Sequence, residues 1–409
     1  MDIVIIGAGL AGLTASWELE KLGHRCTVLE AKNRVGGRTW SQRLGNGEIT
    51  ERGGEYIFPT EYPIRRLAAE IGVPILSHNV RYGRRTVNGR VITFAELGDT
   101  VARVSSTLRS MIDDGESRVS LERAFAEALG AGYRLDPVYR RTTTSAAADP
   151  NLISAEAVLL RESSTADGYV EDGGRLVGGN QSLSIEIARR MGDRVRLEHP
   201  ISALDQSATG VQVTLTDGRV IDADAAVLAV PLPVLRELSL GFALPDAQQR
   251  AIDHRFMAVA AKLGVPTSRA GTDNALQNPY HTWWSWRSLS SDGEHRINAL
   301  SSFAGGPFAL EALNVASGPD GWVRALQQMR PELEIDGEVL LTTWEDDPFT
   351  RGSYTAAGLD WEAADAKAFH RTAGRVAIAG EHTGVAQSLS GAVASGYRAA
   401  AALHQHLSV

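Results

Sequence analysis

The chain is poor in the residues that build cross-linked or metal-centred sites. It carries one cysteine, Cys26, among 409 residues, so an internal disulfide is excluded. Cys26 falls inside an apolar run, where a thiol is expected to act as a small buried hydrophobe rather than a nucleophile. The ten histidines show neither an H-x-x-x-H nor a Cys/His spacing, so no metal site is expected. No apolar run approaches the roughly 20 residues that cross a bilayer. Neither sign of charge dominates: 41 basic and 49 acidic residues leave a net −8, which favours solubility and speaks against a nucleic-acid partner. A strand pattern begins at residue 2 and runs straight into a glycine loop, so no cleaved leader is expected and a cytoplasmic location is the default. Aromatic residues are only 6% of the chain, yet Trp283, Trp284 and Trp286 crowd into four positions.

What the chain has is glycine, 41 residues of it, in clusters. Asp2 to Ile6 is a short, almost wholly apolar run, as expected of a strand buried on both faces of a parallel sheet. Gly7, Gly9 and Gly12 then fill a G-x-G-x-x-G pattern. Leu10 to Leu22 carries a helical apolar period, and His24 to Glu30 is a second strand candidate ending in a carboxylate. Each part has a job in a dinucleotide site. Gly7 permits the tight turn, Gly9 lets the backbone approach a pyrophosphate, and Gly12 lets helix and strand pack closely. The helix start offers free N–H groups and a positive dipole end. Glu30 stands where a ribose hydroxyl would donate to it. This unit alone fits NAD(P) as well as FAD.

Two more glycine loops follow, Val35-Gly-Gly-Arg38-Thr39 and Glu51-Arg-Gly53-Gly54-Glu55-Tyr56-Ile57. From about Ala95 to Ala148 the chain reads as helical. Gly-Gly-Arg175-Leu-Val-Gly-Gly179 is a turn before a helix from Gln181 to Met191. Gly210 to Leu215 alternates, Thr216-Asp-Gly-Arg219 is a hairpin turn, and Val220 to Asp224 returns. Ala225 to Val230 is a buried-strand run stopped by Pro231. Between Ser239 and Leu341, His281 to Trp286 and Ile297 to Phe303 read as neighbouring strands. Arg375 to Glu381 is again strand then glycine, leading into a helix from Gly391 to Leu407. An α/β nucleotide domain built from three separated stretches, with two insertions forming a substrate domain, fits this order. At 409 residues both can hold a sizeable core, and a pocket between them is the default site.

Taken together, Gly7-Ala-Gly9-Leu-Ala-Gly12 with Glu30, the Gly36-Gly-Arg38-Thr39 loop, Gly53-Gly54-Glu55-Tyr56, Trp344…Gly352-Ser-Tyr354, and Ala379-Gly380-Glu381 leading to Ser390-Gly-Ala392-Val393 resemble the flavin-containing amine oxidase family. The resemblance implies a Rossmann-like FAD-binding domain of the glutathione-reductase type with an inserted α+β substrate domain. The FAD domain would comprise residues 1–85, 168–238 and 342–409, and the substrate domain 86–167 and 239–341. It also implies site roles. Gly7, Gly9, Ala11 and Gly12 would pass the pyrophosphate, Glu30 would hold the adenosine ribose, and Arg38 a phosphate oxygen. Gly53, Gly54, Glu55 and Tyr56 would lie along the flavin ring. Ile201 would meet adenine, and Gly380, Glu381, Ala392 and Val393 would hold the ribityl and pyrimidine end.

Three residues are implied to carry the chemistry: Lys262, holding a water against the flavin; Tyr354, one wall of an aromatic cage; and Trp344, packed near the ring. From its apolar run alone, Lys262 also reads as a side chain snorkelling from an edge strand. Two departures from the family pattern matter. Ser353 stands where monoamine oxidases carry the cysteine that binds FAD, so non-covalent FAD is expected. Ala386-Gln-Ser-Leu-Ser390 replaces the segment that supplies their second cage tyrosine, leaving Trp283, Trp284 and Trp286 as candidates. Strand alternation points Trp284 and Trp286 to one face and Trp283 to the other. Ile57-Phe-Pro-Thr60 carries no charge where L-amino acid oxidases place a carboxylate-binding arginine, and nothing in the sequence brings Arg85 or Arg287 there. Asp346 and Asp347, beside a proline, read as a loop.

The implied activity is hydride loss from the α-carbon of a neutral, aromatic or bulky apolar amine to flavin N5. Water then hydrolyses the imine to a carbonyl compound, and dioxygen, the expected acceptor, yields hydrogen peroxide. The alternative is a related FAD-dependent dehydrogenase or desaturase acting on a non-amine, resembling protoporphyrinogen oxidase. A non-catalytic nucleotide-binding protein and a homodimer both stay open.

Overall fold

The computed structural model describes residues 1–77, 85–165, 173–269, 275–287 and 297–408. The domain boundary expected at residue 168 lies outside them. Two sheets organise the chain, and strict alternation along their strands decides what each face does.

The first sheet is five-stranded and parallel, in the order Val376–Ile378, Ala225–Leu228, Asp2–Ile6, Arg25–Leu29, Val195–Arg196. Ile3, Ile5, Val28, Ala225, Val227 and Ala377 point to one side. There they pack against the helices Leu10–Lys21, Tyr62–Ile71, Ser182–Met191 and Leu389–Leu407. Val4, Ile6, Leu29, Ala226, Leu228 and Ile378 point to the other side. There they meet Leu204, Val213 and Leu215 of an antiparallel meander of Val220–Ala223, Val211–Leu215 and Ile201–Gln206, with Ser239–Leu240 alongside. A parallel strand buried on both faces must be apolar where it is covered, and Ile3 to Ile6 are apolar and buried, with only the exposed Asp2 at the strand's start charged. Cys26 is fully buried in the first core, and burial pushes its thiol up to about 12, which keeps it protonated and unreactive.

The second sheet is seven-stranded: Leu340–Thr342, Ala260–Pro266, Ala299–Gly305, Trp283–Trp286, Leu276–Gln277, Thr86–Val87, Arg90–Val91. Ala261, Leu263, Val265, Trp283, Leu300 and Ala304 face a core closed by the helices Pro307–Ala312 and Asp320–Met329. The opposite face carries Lys262, Phe303 and Trp284 in one cross-strand row, because Lys262 pairs with Phe303 and Phe303 with Trp284. Trp286 lies beside this row, and Trp283 is on the far side as alternation requires. The helices Phe94–Asp113, Leu121–Leu129, Pro137–Ala146 and Ala155–Thr165 fall inside the stretches read as the first insertion. Their core reaches Ala260 and the ring of Tyr354.

Candidate active site

One cavity of about 400 Å³ runs from the first glycine loop to the row of Lys262, Phe303 and Trp284. At its first end Gly7 has φ +104°, and a Cβ there would stand 2.5 Å from the Ala229 carbonyl oxygen. A Cβ on Gly12 would come 2.0 Å from the Gly7 oxygen. Both positions therefore exclude a side chain for packing reasons. Gly9 differs: apart from its immediate chain neighbours, no protein atom lies within 4 Å of where its Cβ would be, and Gly9 borders the cavity. The helix Leu10–Lys21 starts there with no side-chain cap, so its first N–H groups are available to an anion. That open cradle fits a pyrophosphate.

Glu30 directly follows the second strand and accepts hydrogen bonds from the backbone N–H groups of Ala8 (2.8 Å) and Lys32 (2.9 Å). Burial raises its pKa, with those two bonds and the Lys32 charge opposing. Lys32 is ion-paired to Asp347 across the chain, so the acidic pair read as a plain loop supplies one buttress of the cavity. Ile201 stands on the wall nearby.

Midway, Arg38 donates to Glu381 Oε1 (2.8 Å) and to the Ser353 carbonyl (3.0 Å). Glu381 is buried and also accepts from the Thr355 hydroxyl at 2.7 Å. Burial alone would raise its pKa, but the Arg38 charge and these bonds outweigh it and hold the carboxyl below its usual range. Gly53 sits where a Cβ would stand 1.7 Å from the Arg38 oxygen and 3.4 Å from the Trp344 ring. The backbone therefore runs flat between Arg38 and Trp344, and Trp344 donates its indole N–H to the Arg52 carbonyl at 3.3 Å.

At the far end Lys262 is 7% exposed. Its ammonium donates to the Gly53 carbonyl (3.1 Å) and is ion-paired to Glu55. The strand Ala260–Pro266 is paired on both sides, so Lys262 is on an interior strand, and the snorkelling edge reading does not hold. Around it stand Tyr56, Trp284, Trp286, Phe303 and Tyr354. Trp284 and Trp286 stack at 4.2 Å, and Tyr56 stacks on Trp284 at 5.9 Å. The Tyr354 hydroxyl donates to the Ser145 carbonyl at 2.6 Å, which fixes the ring across the gap to the helical insertion. Arg85 lies 3.8 Å over the Trp284 ring and so supports the wall. Arg287 bonds Thr267, at 3.0 Å.

All the expected site residues line this cavity except Gly12 and Val393. Gly12 packs against the loop. The last helix begins at Leu389 rather than Gly391, with the Ser388 hydroxyl capping the Gly391 N–H at 3.0 Å. Ala392 therefore closes its first turn, Val393 opens the second, and the two side chains point apart. Ala392 faces the cavity, while Val393 is fully buried in the sheet core, so its side chain has no place on the cavity wall. Sequence reasoning missed Glu61, Arg161, Glu162 and Gln387 on that wall. Glu61 had a signal, a carboxylate beside Pro59 only five residues beyond Tyr56. Arg161 and Glu162 lie mid-helix, where their spacing carries none.

Beneath Glu381, His382 is 1% exposed. Burial, helped by the Arg38, Arg255 and Arg398 charges and opposed by Glu381, lowers its pKa to about 4. The unfolded ring protonates near 6.5, so between pH 6.5 and 4 the unfolded chain binds a proton that the fold refuses. Stability is then lost as pH falls through that window, by on the order of 3 kcal/mol. His382→Gln is expected to flatten that part of the curve of melting temperature against pH. An unchanged slope would assign the acid sensitivity elsewhere.

Among the described residues, no helix is long and apolar enough to cross a membrane and no side-chain cluster is suited to a metal ion. The family described as flavin containing amine oxidoreductase matches residues 10–404. A putative flavin-containing monoamine oxidase, AofH, of Mycobacterium tuberculosis is 28% identical over 291 residues, 62% of either chain. The match thus spans under two thirds of that relative. Nicotine dehydrogenase of Pseudomonas putida is 25% identical over all of this chain and 89% of its own. In fold, cyclohexylamine oxidase of Brevibacterium oxydans superposes with a TM-score of 0.84 at 21% identity, covering 100% of this chain and 99% of that one. Putrescine oxidase bound to putrescine superposes at 0.81 and 20% identity, covering 98% of each. The family match, which runs from the first glycine loop through Lys262 and Tyr354 to the last helix, places the protein in the flavin-containing amine oxidoreductase family.

Proposed function

We propose that the protein is an FAD-dependent amine oxidase acting on a neutral amine with an aromatic or bulky apolar substituent. Overall, each amine consumes one dioxygen and one water and gives one carbonyl compound, one ammonia and one hydrogen peroxide, with dioxygen as the electron acceptor. The observation that carries this reading is the chamber of Tyr56, Trp284, Trp286, Phe303 and Tyr354 about Lys262, continuous with the glycine cradle. Relatives named for nicotine and cyclohexylamine support an amine as substrate.

In this reading Gly7, Gly9, Ala11 and the helix start take the pyrophosphate, and Gly12 keeps that turn tight. Glu30 holds the ribose, Ile201 adjoins adenine, and Arg38 takes a phosphate oxygen. Gly53, Gly54, Glu55, Tyr56 and Trp344 border the ring, and Gly380, Glu381 and Ala392 the ribityl and pyrimidine end. Bound FAD supplies the two-electron acceptor, chemistry that no side chain here can provide. The chain's own contribution is position and desolvation. Tyr354 presents a ring face to the substrate carbon, and Lys262 holds a water by its ammonium. Residues 1–85, 168–238 and 342–409 form the cofactor domain, and 86–167 and 239–341 the substrate domain. A cytoplasmic location belongs to the same reading.

Ser353 offers no thiol, and its hydroxyl is engaged with the Ala258 carbonyl at 2.9 Å, which supports non-covalent FAD. Acid precipitation is therefore expected to release all the flavin to the supernatant; yellow colour in the pellet would contradict this. The activity is tested by a panel of amines with peroxide detection. Peroxide from an aromatic amine is the expected result. Silence across the panel, with flavin reduction by a polycyclic or polyene substrate instead, would favour the non-amine dehydrogenase reading.

A further inference from the structure

The aromatic chamber is closed on one side by something other than an aromatic ring. The segment Ala386–Ser390, which replaces the one supplying the second cage tyrosine in monoamine oxidases, brings Gln387 and Ser388 to the cavity wall, and Glu61 stands beside them. The Ser388 hydroxyl donates to Glu61 Oε1 at 3.1 Å, and the Phe58 N–H donates to Oε2 at 2.8 Å. Glu61 holds the N-cap position of the helix Tyr62–Ile71, yet its side chain makes no capping bond there. It turns back towards the cavity instead.

Among the described residues, two sets of charges near the aromatic rings are matched with an opposite charge: Lys262 with Glu55, and Glu162 with Arg141 and Arg161. Both hydrogen bonds given to Glu61 come from neutral donors. The charge acting on it is Arg65, one turn along its own helix, whose side chain is bonded to the Phe58 carbonyl at 2.8 Å. The Ala386–Leu389 segment brings only Gln387 and a hydroxyl against it. Among the described residues, the other titratable groups lining this end of the cavity are Tyr56, Tyr354, Arg52, which bonds Thr342 at 3.0 Å, and the pairs just named.

We infer that Glu61 is the chamber's receptor for the protonated form of the substrate, and that it takes one proton from the ammonium so that the neutral amine is delivered for oxidation. The inference rests on the amine oxidase reading. The step is R–NH3⁺ + Glu61–COO⁻ → R–NH2 + Glu61–COOH: an N–H bond breaks, its electron pair stays on nitrogen, and an O–H bond forms on the carboxylate. No other reactant is needed. The energetics favour this site. Burial pushes the Glu61 carboxyl up to about 7, against the Phe58 and Ser388 bonds and the Arg65 charge. An alkylammonium in water titrates near ~10, so the mismatch shrinks to roughly three units. Desolvation in an aromatic chamber penalises the ammonium and narrows it further.

The signature is in the pH profile. Above pH 7 Glu61 is ionised and accepts the proton; below it the carboxyl is filled and the step stops. For an amine of pKa near ~10, the second-order rate of flavin reduction in anaerobic stopped flow should be flat between pH 7 and 10 and fall below 7. In Glu61→Gln, which keeps the Ser388 contact but accepts no proton, only free amine reacts. The rate should then rise tenfold per pH unit up to the amine's own pKa, about 10²-fold below wild type at pH 8. A fluorinated analogue of pKa near ~6 is already neutral at pH 8 and should be oxidised at equal rates by both enzymes. Equal loss on both amines, or no loss on either, would overturn the proposal. Should the variant fail to retain flavin, wild type alone decides: a slope of one from pH 7 to 10 refutes it, and a plateau supports it. Failure of every amine to reduce wild-type flavin would instead strike the amine oxidase reading itself.

Discussion

Lys262→Met is expected to purify yellow and to slow at least one half-reaction, flavin reduction by amine or reoxidation by dioxygen, on the order of 10²-fold or more. That is the usual scale for removing a group that positions a proton or a water at the reacting atoms. The same change should also destabilise the fold, because it takes the cation from beside buried Glu55. Breaking a buried ion pair costs about 3–5 kcal/mol. The two effects separate in the double variant Lys262→Met/Glu55→Gln. Its melting temperature should recover most of the loss, because no charge is left buried, while the slow half-reaction should stay slow. Stopped-flow reduction and reoxidation with a thermal melt on each variant read both. Wild-type rates in both half-reactions would return Lys262 to a purely structural role. Recovery of rate in the double variant would place the chemistry on the pair's geometry rather than on the ammonium.

The second large effect separates two glycines of one motif. Gly9→Ala should fold as well as wild type when FAD is absent, since nothing beyond its immediate chain neighbours lies within 4 Å of the added methyl. It should nevertheless bind flavin far more weakly, because that empty volume is the space assigned to the pyrophosphate. Gly12→Ala should lose both, since its methyl would stand 2.0 Å from the Gly7 carbonyl oxygen and 3.2 Å from the Ile5 side chain. Overpacking of that degree costs about 1–3 kcal/mol or more, and it displaces the loop that carries the cradle. Flavin fluorescence titration and a melt of each apoprotein make the comparison. Tight flavin binding by Gly9→Ala would mean that the pyrophosphate lies elsewhere.

The parts of this architecture that the sequence made readable are those where one local pattern meets one backbone requirement. Gly7 and Gly12 could be assigned because a turn and a helix–strand contact demand them within twelve residues. The faces of Trp283, Trp284 and Trp286 followed from strand alternation alone, and the structure places them so: Trp283 in the core with Trp322, and Trp284 and Trp286 on the chamber wall. Lys262 was ambiguous because nothing local distinguishes an edge strand from an interior one. Its neighbours Leu340–Thr342 and Ala299–Gly305 are about 40 to 80 residues away. Glu61 and the Arg161–Glu162 pair were unreadable for a related reason. A carboxylate near a helix start looks like an ordinary cap, and only the packing of Ala386–Leu389 against it, some 330 residues later, turns it inward. The single-residue shift between Ala392 and Val393 came from a helix end, where Ser388 rather than the glycine after it sets the first turn.

The parallel sheet has a consequence for biosynthesis. Its edge strand Val376–Ile378 pairs with Ala225–Leu228, and the helix Leu389–Leu407 lies so close on Leu10–Lys21 that a Cβ on Gly396 would be 2.5 Å from the Ala11 oxygen. The glycine loop is thus translated early in this sequence and covered by a helix translated late. Arg38 likewise waits 343 positions for Glu381. While the ribosome is still passing the middle of the chain, the nascent nucleotide fold exposes an unpaired strand edge and an uncovered helix face. Such loop closures are slow because chain entropy must be lost before any contact repays it. In the proposed reading flavin is captured only after the far end has emerged, so cofactor loading is expected to be late, and the growing chain is expected to depend on whatever shields that edge in the meantime.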